Sequence, residues 1–173
     1  MVLPNFMRAP QFKFDKADKA PGPTPGVLAL KDSILFLGSQ NHLFSKGTYN
    51  PRFVRGSTTS PSVHWSGRAW DLGVLDEPKE NLVNLDGSPS DLVVAWSTSI
   101  FHCQLWVNFL VANYDIGIQQ IIWYRNIWNN NTMRWNNYNG GAGPHLDHAH
   151  IELNKFGGET VTAQVIVDRL QPK

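Results

Sequence analysis

The sequence predicts one α+β domain, and three observations favour this class. Of its 173 residues 42% are hydrophobic, which is ample for a core, and the single cysteine excludes an internal disulfide framework. One long apolar stretch has the length of a buried helix, whereas several short apolar runs alternate as strands do. Strands and helices are segregated along the chain, without the strict alternation that builds a parallel sheet.

The elements follow from local residue patterns. Ser90 is a good helix N-cap and precedes a long apolar stretch, which predicts a helix to about Ala112. Residues 126–143 contain seven Asn and three Gly, which predicts a long irregular loop of the kind that often carries function. The other segments from residue 57 onward are predicted strands at 69–74, 120–124 and 149–153 and one further element at 161–170.

The first 56 residues differ from the rest of the chain in charge. They hold eight Lys or Arg against three acidic residues, whereas the remainder holds seven against eleven. A run rich in Pro and Gly at 20–26 opposes regular structure. We therefore expect a basic arm or linker over 1–26, strand and loop material over 27–56, and a domain over 27–173 whose motif-bearing core is 57–155.

Charge and hydropathy oppose two kinds of partner. The formal net charge is +1, whereas proteins that bind nucleic acid through phosphate contacts usually carry a marked basic excess. The most apolar stretch, residues 92–118, is interrupted by several polar residues and does not predict a membrane span. The N-terminus shows no secretory signal. We expect no nucleic-acid partner, no membrane insertion and a monomer, although the oligomeric state is left open.

The histidines and one aspartate suggest a metal centre. His145, His148 and His150 lie within six residues of one another, and on an extended strand His148 and His150 would face the same side. His64 and Asp71 form a second group, seven positions apart. A catalytic zinc commonly takes three such ligands and leaves a fourth position for water. His64, Asp71 and one histidine of the later group would supply three.

Each of these residues also has an ordinary structural interpretation. His64 alone is more often a hydrogen-bonding residue than a ligand, and Asp71 alone can cap a turn. His145 could line the entrance of the site, but it is better interpreted as an exposed loop histidine. The pairing of the two groups is what favours a metal site.

The first group matches a known pattern. Ser62, His64, Gly67, Ala69 and Asp71 follow the spacing Ser-x-His-x-x-Gly-x-Ala-x-Asp. This pattern resembles the first metal motif of zinc peptidases that cleave bacterial cell-wall peptides. These enzymes are the D-Ala-D-Ala carboxypeptidases and L-Ala-D-Glu endopeptidases, whose fold is shared with the hedgehog signalling domain.

The second group resembles the second metal motif of the same family. His145, Asp147, His148 and His150 contain the His-x-His form seen in related murein endopeptidases. The resemblance is closest to the phage and actinobacterial branch and covers roughly residues 57–155. It implies a central, mainly antiparallel sheet with flanking helices, and one zinc ion per chain held by His64, Asp71 and His150.

The resemblance leaves the general base open between two residues. In the carboxypeptidase branch a carboxylate stands three residues before the last ligand, where this chain has Asp147. In the endopeptidase branch the first histidine of His-x-His assists catalysis, and His148 stands there. We favour His148, because it shares a strand face with His150 whereas Asp147 would point to the opposite face. Asp147 would then orient one of the metal ligands without binding the metal itself.

Two further motif residues are candidates for substrate binding. Arg68 would either contact a substrate carboxylate or hold a structural one, and Ser62 would brace the loop by hydrogen bonding. Loops at 40–60 and 126–143 are expected to form the rim that selects the bond cleaved. All seven tryptophans lie between residues 65 and 135, and they would either fill the core or form a groove that stacks on sugars. Trp128 and Trp135 are the expected exposed ones.

The resemblance implies a zinc metallopeptidase that hydrolyses peptidoglycan stem peptides by a zinc-activated water, as a cell-wall lysin of endolysin type. A zinc-containing binding module without catalysis is the alternative, and a metal-dependent nuclease is a weaker one. The chain would act on the bacterial wall, as a phage lysin released from the host cytoplasm, part of a virion, or a fragment of a secreted protein.

Overall fold

The computed structural model describes residues 8–78, 83–84, 86–140 and 143–171. Two short 3₁₀ turns, Pro10–Phe12 and Tyr114–Ile116, accompany the regular elements. In chain order these elements are α1 Pro25–Leu37, β1 Phe44–Gly47, β2 Ala69–Gly73, α2 Asp91–Ala112, β3 Ile118–Trp123, β4 Asn126–Asn129, β5 Arg134–Asn137, β6 His148–Leu153, α3 Lys155–Thr160 and α4 Ala163–Leu170.

The described strands form one antiparallel sheet in the order β1-β2-β6-β3-β4-β5. Helices accompany this sheet, so the predicted α+β class and antiparallel sheet are confirmed. The strands predicted at 69–74, 120–124 and 149–153 correspond to β2, β3 and β6. The element predicted at 161–170 corresponds to α4.

The central strands have one face in the core and one face free for a site. Trp70 and Leu72 of β2, and Ala149 and Ile151 of β6, pack into the hydrophobic core. Because strand side chains alternate, the residues between them point to the opposite face. Apolar residues of α1 and α2 cover the core side: Val27, Leu30, Ile34, Cys103, Val107 and Leu110.

Helix α2 begins where the sequence predicts. Ser90 stands at the N-cap position in an extended conformation, although its side chain makes no capping hydrogen bond among the described residues. Among the described residues, neither α2 nor any other helix combines the length and hydropathy that a membrane span requires.

The prediction of strand and loop over 27–56 is wrong in its first part, which is helical. Helix α1 starts at Pro25, because proline is tolerated in the first turn, where its missing N–H has no intrahelical partner. Gly26 allows a close approach to α3, since a Cβ there would lie 2.1 Å from the Gly157 carbonyl oxygen. The run rich in Pro and Gly therefore leads into a helix rather than opposing one.

The irregular loop predicted at 126–143 is also wrong over much of its length. Strands β4 and β5 form a hairpin there, with Trp128 paired to Trp135. The Asn129 side chain closes the turn by accepting hydrogen bonds from the backbone N–H groups of Asn131 and Thr132. Asparagine serves as a turn former here, and an edge hairpin needs little apolar alternation.

The described part of the predicted arm or linker, residues 8–26, lies against the domain. The Asn154 amide donates to the carbonyls of Pro10, Gln11 and Lys13. Further along, the backbone N–H groups of Ala20 and Thr24 donate to the carbonyls of Trp65 and Gly67. The described residues 8–26 are therefore not a free arm, because backbone groups of this segment form hydrogen bonds with the domain.

Candidate metal centre

The pairing of β2 with β6 brings Asp71 and His150 together. They are direct partners in the register of this pair, and His150 Nδ1 lies 2.9 Å from Asp71 Oδ1. Both alternate with core residues on their strands, so both side chains lie on the face of the sheet opposite the core. Segments distant in sequence therefore supply two of the three predicted ligands.

His64 joins them from the turn that precedes β2. Its Nε2 lies 3.1 Å from His150 Nδ1 and 3.2 Å from Asp71 Oδ2. Gly67 closes this turn with a φ of +66°, and its N–H donates to the His64 carbonyl. A Cβ at Gly67 would also lie 2.0 Å from the Gly22 carbonyl oxygen. The position therefore requires glycine both for backbone conformation and for space.

The three side chains present a donor set that suits a divalent metal ion. Their ligand atoms all lie within 4.8 Å of one another. Zinc binds imidazole nitrogen and carboxylate oxygen at about 2.0–2.2 Å, which places tetrahedral ligand atoms about 3.3 Å apart. The two imidazole nitrogens lie 3.1 Å apart and His150 Nδ1 lies 2.9 Å from Asp71 Oδ1, both slightly below that value, whereas His64 Nε2 lies 3.2 Å from the other Asp71 oxygen. His64, Asp71 and His150 could therefore hold one ion after a small outward shift.

Hydrogen bonding outweighs burial in setting the charge of this cluster. Burial raises the pKa of Asp71, but hydrogen bonds with His150 and His64 hold that pKa well below its usual range. Burial lowers the pKa of His150, yet hydrogen bonds to Asp71 and Glu152 raise that pKa well above its usual range. A protonated His150 therefore sits between two carboxylates, and a metal ion would have to displace its proton.

Glu152, which neither motif predicts, is the buried residue that holds His150. Its Oε1 lies 2.9 Å from His150 Nε2, which leaves His150 Nδ1 facing the other two ligands. The amide groups of Gln119 and Gln120 each donate to its carboxylate at 3.1 Å. Burial raises the pKa of Glu152, but the hydrogen bond with His150 brings it below the usual range. The alternation of His148, His150 and Glu152 on one strand face was the available signal.

His148 and Asp147 are in contact, which differs from the expectation that they point to opposite faces. His148 Nδ1 lies 2.7 Å from Asp147 Oδ1, because Asp147 precedes β6 and is free of its alternation. The other carboxylate oxygen of Asp147 pairs with Lys46 of β1. Burial raises the pKa of Asp147, but the hydrogen bonds from Lys46 and His148 lower it to about 2. Asp147 is therefore an ionised partner for the His148 ring.

The prediction that His145 is an exposed loop residue is wrong. Only 5% of its surface is exposed, and its ring packs against those of Tyr138 and His148. Its Nδ1 lies 2.9 Å from the Gly143 carbonyl oxygen. Burial, together with the charge of the nearby histidines, lowers the pKa of His145 to about 4. A neutral imidazole thus forms one wall of the site.

Arg68 and Ser62 have different positions relative to the site. Arg68 is 2% exposed, and its guanidinium donates to the carbonyls of Leu153 and Lys16. It is not among the described residues that line the pocket, and its Nη2 lies 4.0 Å from Asp18 Oδ1, at the limit of an ion pair, so contact with a structural carboxylate fits better than contact with a substrate. Ser62 does line the pocket, and its hydroxyl accepts a hydrogen bond from the His64 N–H at 3.3 Å, which braces the turn as expected.

A pocket of about 380 Å³ opens above the three candidate ligands. His148, His145 and Gln120 also line it. The predicted rim segments 40–60 and 126–143 both contribute lining residues: Arg52, Val54 and Arg55 come from the first, and Tyr138 and Gly140 from the second. The part of the rim that the first segment supplies is therefore basic.

Comparison with protein-family models, with curated proteins and with solved structures gives no match for this chain.

Proposed function

We propose that this protein is a zinc-dependent peptidase that hydrolyses peptide bonds in the stem peptides of bacterial peptidoglycan. The observation that carries the proposal is the convergence of His64, Asp71 and His150 on the floor of an open pocket, beside His148. The motif spacing supports it, since both motif segments meet across adjacent antiparallel strands. A fold of the hedgehog and D-Ala-D-Ala peptidase type is part of the same proposal.

The donor set favours zinc among the common metals. Two imidazoles and one carboxylate suit zinc, whereas magnesium and calcium prefer sites built wholly from oxygen. When bound, zinc supplies a water of lowered pKa and polarises the scissile carbonyl. Glu152 fixes the ring of His150 through its Nε2, as carboxylates commonly do for zinc-binding histidines.

His148 is the group best placed to hold and move a proton. Its Nε2 lies 3.9 Å from Asp71 Oδ1, next to the ligand cluster but outside its hydrogen bonds. Its Nδ1 is engaged by the Asp147 carboxylate, so the proton exchanged with substrate or water would reside on Nε2. Asp147 is then a positioning residue, held in turn by Lys46.

The basic rim supports an acidic peptide as substrate. Arg52 and Arg55 are among the residues that line the pocket, and guanidinium groups bind carboxylates well. Stem peptides carry carboxylates both at their D-Ala terminus and at their D-Glu residue, so carboxypeptidase and endopeptidase cleavage both fit this rim. We place the activity at the bacterial cell wall, as a lysin of phage or bacterial origin.

The test is metal content measured together with cleavage. Elemental analysis of the purified protein should give about one zinc per chain, and peptidoglycan should release new amino termini that a chelator abolishes. Zinc without cleavage of walls from several bacterial types would favour the binding-module alternative. An absence of bound zinc, with no recovery when zinc is added, would contradict the assignment of all three ligands.

A further inference from the structure

A second, larger groove lies on the face of the sheet that α2 covers. Its volume is about 740 Å³, and it runs between α2 and the hairpin of β3, β4 and β5. The residues that line it are Trp96, Ser97, Ile100, Phe101, Gln104, Trp123, Tyr124, Asn126 and Trp135.

Exposed aromatic rings dominate this groove. Phe101, Tyr124 and Trp135 are 59%, 49% and 40% exposed, and because all three line one groove they form a patch rather than scattered exposed residues. Trp128 is buried at 2%, so of the two tryptophans expected to be exposed only Trp135 is. The polar groups of the lining are the amides of Gln104 and Asn126 and the hydroxyls of Ser97 and Tyr124, and no charged residue is among its described residues.

The groove and the metal pocket lie on opposite faces of the sheet. Trp123 belongs to the core face that α2 covers, and Trp135 is the cross-strand partner of core residue Trp128, whereas His150 lies on the other face. Tyr124 and Asn126 also line a third cavity, which shares Tyr138 and Gly140 with the metal pocket. The two sites therefore approach each other only around the turn between β3 and β4.

We propose that this groove binds a chain of N-acetylated hexosamines. Sugar rings present apolar C–H faces to aromatic side chains, and the acetamido group offers a methyl for Ile100 and Phe101 and an amide for Asn126 and Ser97. An uncharged lining suits such a chain better than it suits an acidic peptide or a nucleic acid. Sugar binding is argued from the groove itself, whereas naming the chain as the peptidoglycan strand that bears the stem peptides rests on the proposed function.

The experiment is calorimetric titration with a hexamer of β1,4-linked N-acetylglucosamine, which bears no peptide for a peptidase to cleave. Wild-type protein should bind it saturably, both as isolated with metal and after chelation. Trp135→Ala and Phe101→Ala should each weaken binding at least tenfold. Phe36→Ala is the matched control, since Phe36 is an aromatic residue 81% exposed on α1 and should leave binding unchanged.

The proposal would be overturned if the wild type did not bind the hexamer saturably, or if Trp135→Ala and Phe101→Ala both bound it as tightly as the wild type. It would also be overturned if sedimentation showed a wild-type dimer that Phe101→Ala dissociates. Such a dimer would make the groove an interface between copies of the chain. Hexamer binding without peptide cleavage would support this inference and count against the proposed function. Peptide cleavage without hexamer binding would support the proposed function and count against this inference.

Discussion

Asp71 and His150 are direct cross-strand partners, and this pairing makes the candidate metal centre a product of sheet register. A slip of one residue between β2 and β6 would turn one of the two side chains into the core, because side chains alternate along a strand. Burial of Trp70 and Leu72 on the other face opposes such a slip. The hydrophobic pattern that stabilises the sheet thus also aligns the ligands.

Removal of a ligand should remove the metal. We expect His150→Ala and His64→Ala to lose bound zinc and, with it, all cleavage, since two remaining ligands hold zinc poorly. The measurement is elemental analysis after dialysis. His42→Asn is the control, because His42 is exposed and its φ of +57° is tolerated by asparagine. Stoichiometric zinc in His150→Ala would show that the ion lies elsewhere.

Loss of the Glu152 charge should weaken metal binding without abolishing it. Glu152→Gln keeps the shape of the side chain but holds the ring of His150 less firmly, so zinc affinity should fall about 10–100-fold. Competition with a chromogenic chelator measures this affinity. Glu159→Gln, at an exposed position on α3, should bind zinc as the wild type does. Unchanged affinity in Glu152→Gln would mean that Glu152 serves only the fold.

His148 should affect rate and not metal content. We expect His148→Ala to retain zinc and to cleave about 10²–10⁴-fold more slowly, the usual contribution of a general acid or base. Asp147→Asn should cost less, because it only weakens the orientation of the His148 ring. Measured kcat at equal zinc loading compares the two variants. A greater loss in Asp147→Asn than in His148→Ala would assign the proton transfer to Asp147 instead.

The buried thiol should make stability fall at alkaline pH. Burial raises the pKa of Cys103 above its ordinary value of 9.0, so the unfolded chain loses the thiol proton first. Below pH 9.0 the thiol is protonated in both states and the free energy of unfolding keeps its full value. Above pH 9.0 the thiol lowers this free energy by about 1.4 kcal/mol per pH unit. Urea midpoints of wild type and Cys103→Ala, compared at pH 8 and pH 10, isolate this effect, because other titrating groups are common to both. A pH-independent difference would contradict it.

Substitution of two glycines with positive φ can distinguish the cost of backbone strain from the cost of a steric clash. Gly117 has a φ of +106°, and a Cβ there would lie 2.4 Å from the Gly157 Cα, whereas Gly56 has a φ of +82° and nothing within 4 Å. Gly56→Ala should therefore cost about 1 kcal/mol, and Gly117→Ala about 3 kcal/mol or more. Thermal and urea unfolding measure both. Equal costs would mean that α3 moves to accommodate the new methyl group.

The features that the sequence predicted are those with a strong local pattern. Helix α2 follows a residue of the N-capping type and contains a long apolar run, and the candidate ligands His64, Asp71 and His150 follow specific spacings. The hairpin at 126–143 escaped prediction because its asparagines stabilise a turn by side-chain hydrogen bonds. The positions of His145 and Glu152 depend on which segments meet in space, and spacing along the chain does not encode that directly.

The attachment of the N-terminal segment to the His64 turn has a consequence for domain grafting. Thr24 donates through both its N–H and its hydroxyl to the Gly67 carbonyl, and Ala20 donates to Trp65. A chimera joined to another module at residue 27 would remove these supports from the turn that carries a candidate ligand. The junction of a functional fusion belongs upstream of Arg8, whose guanidinium is itself bonded to the β4–β5 turn.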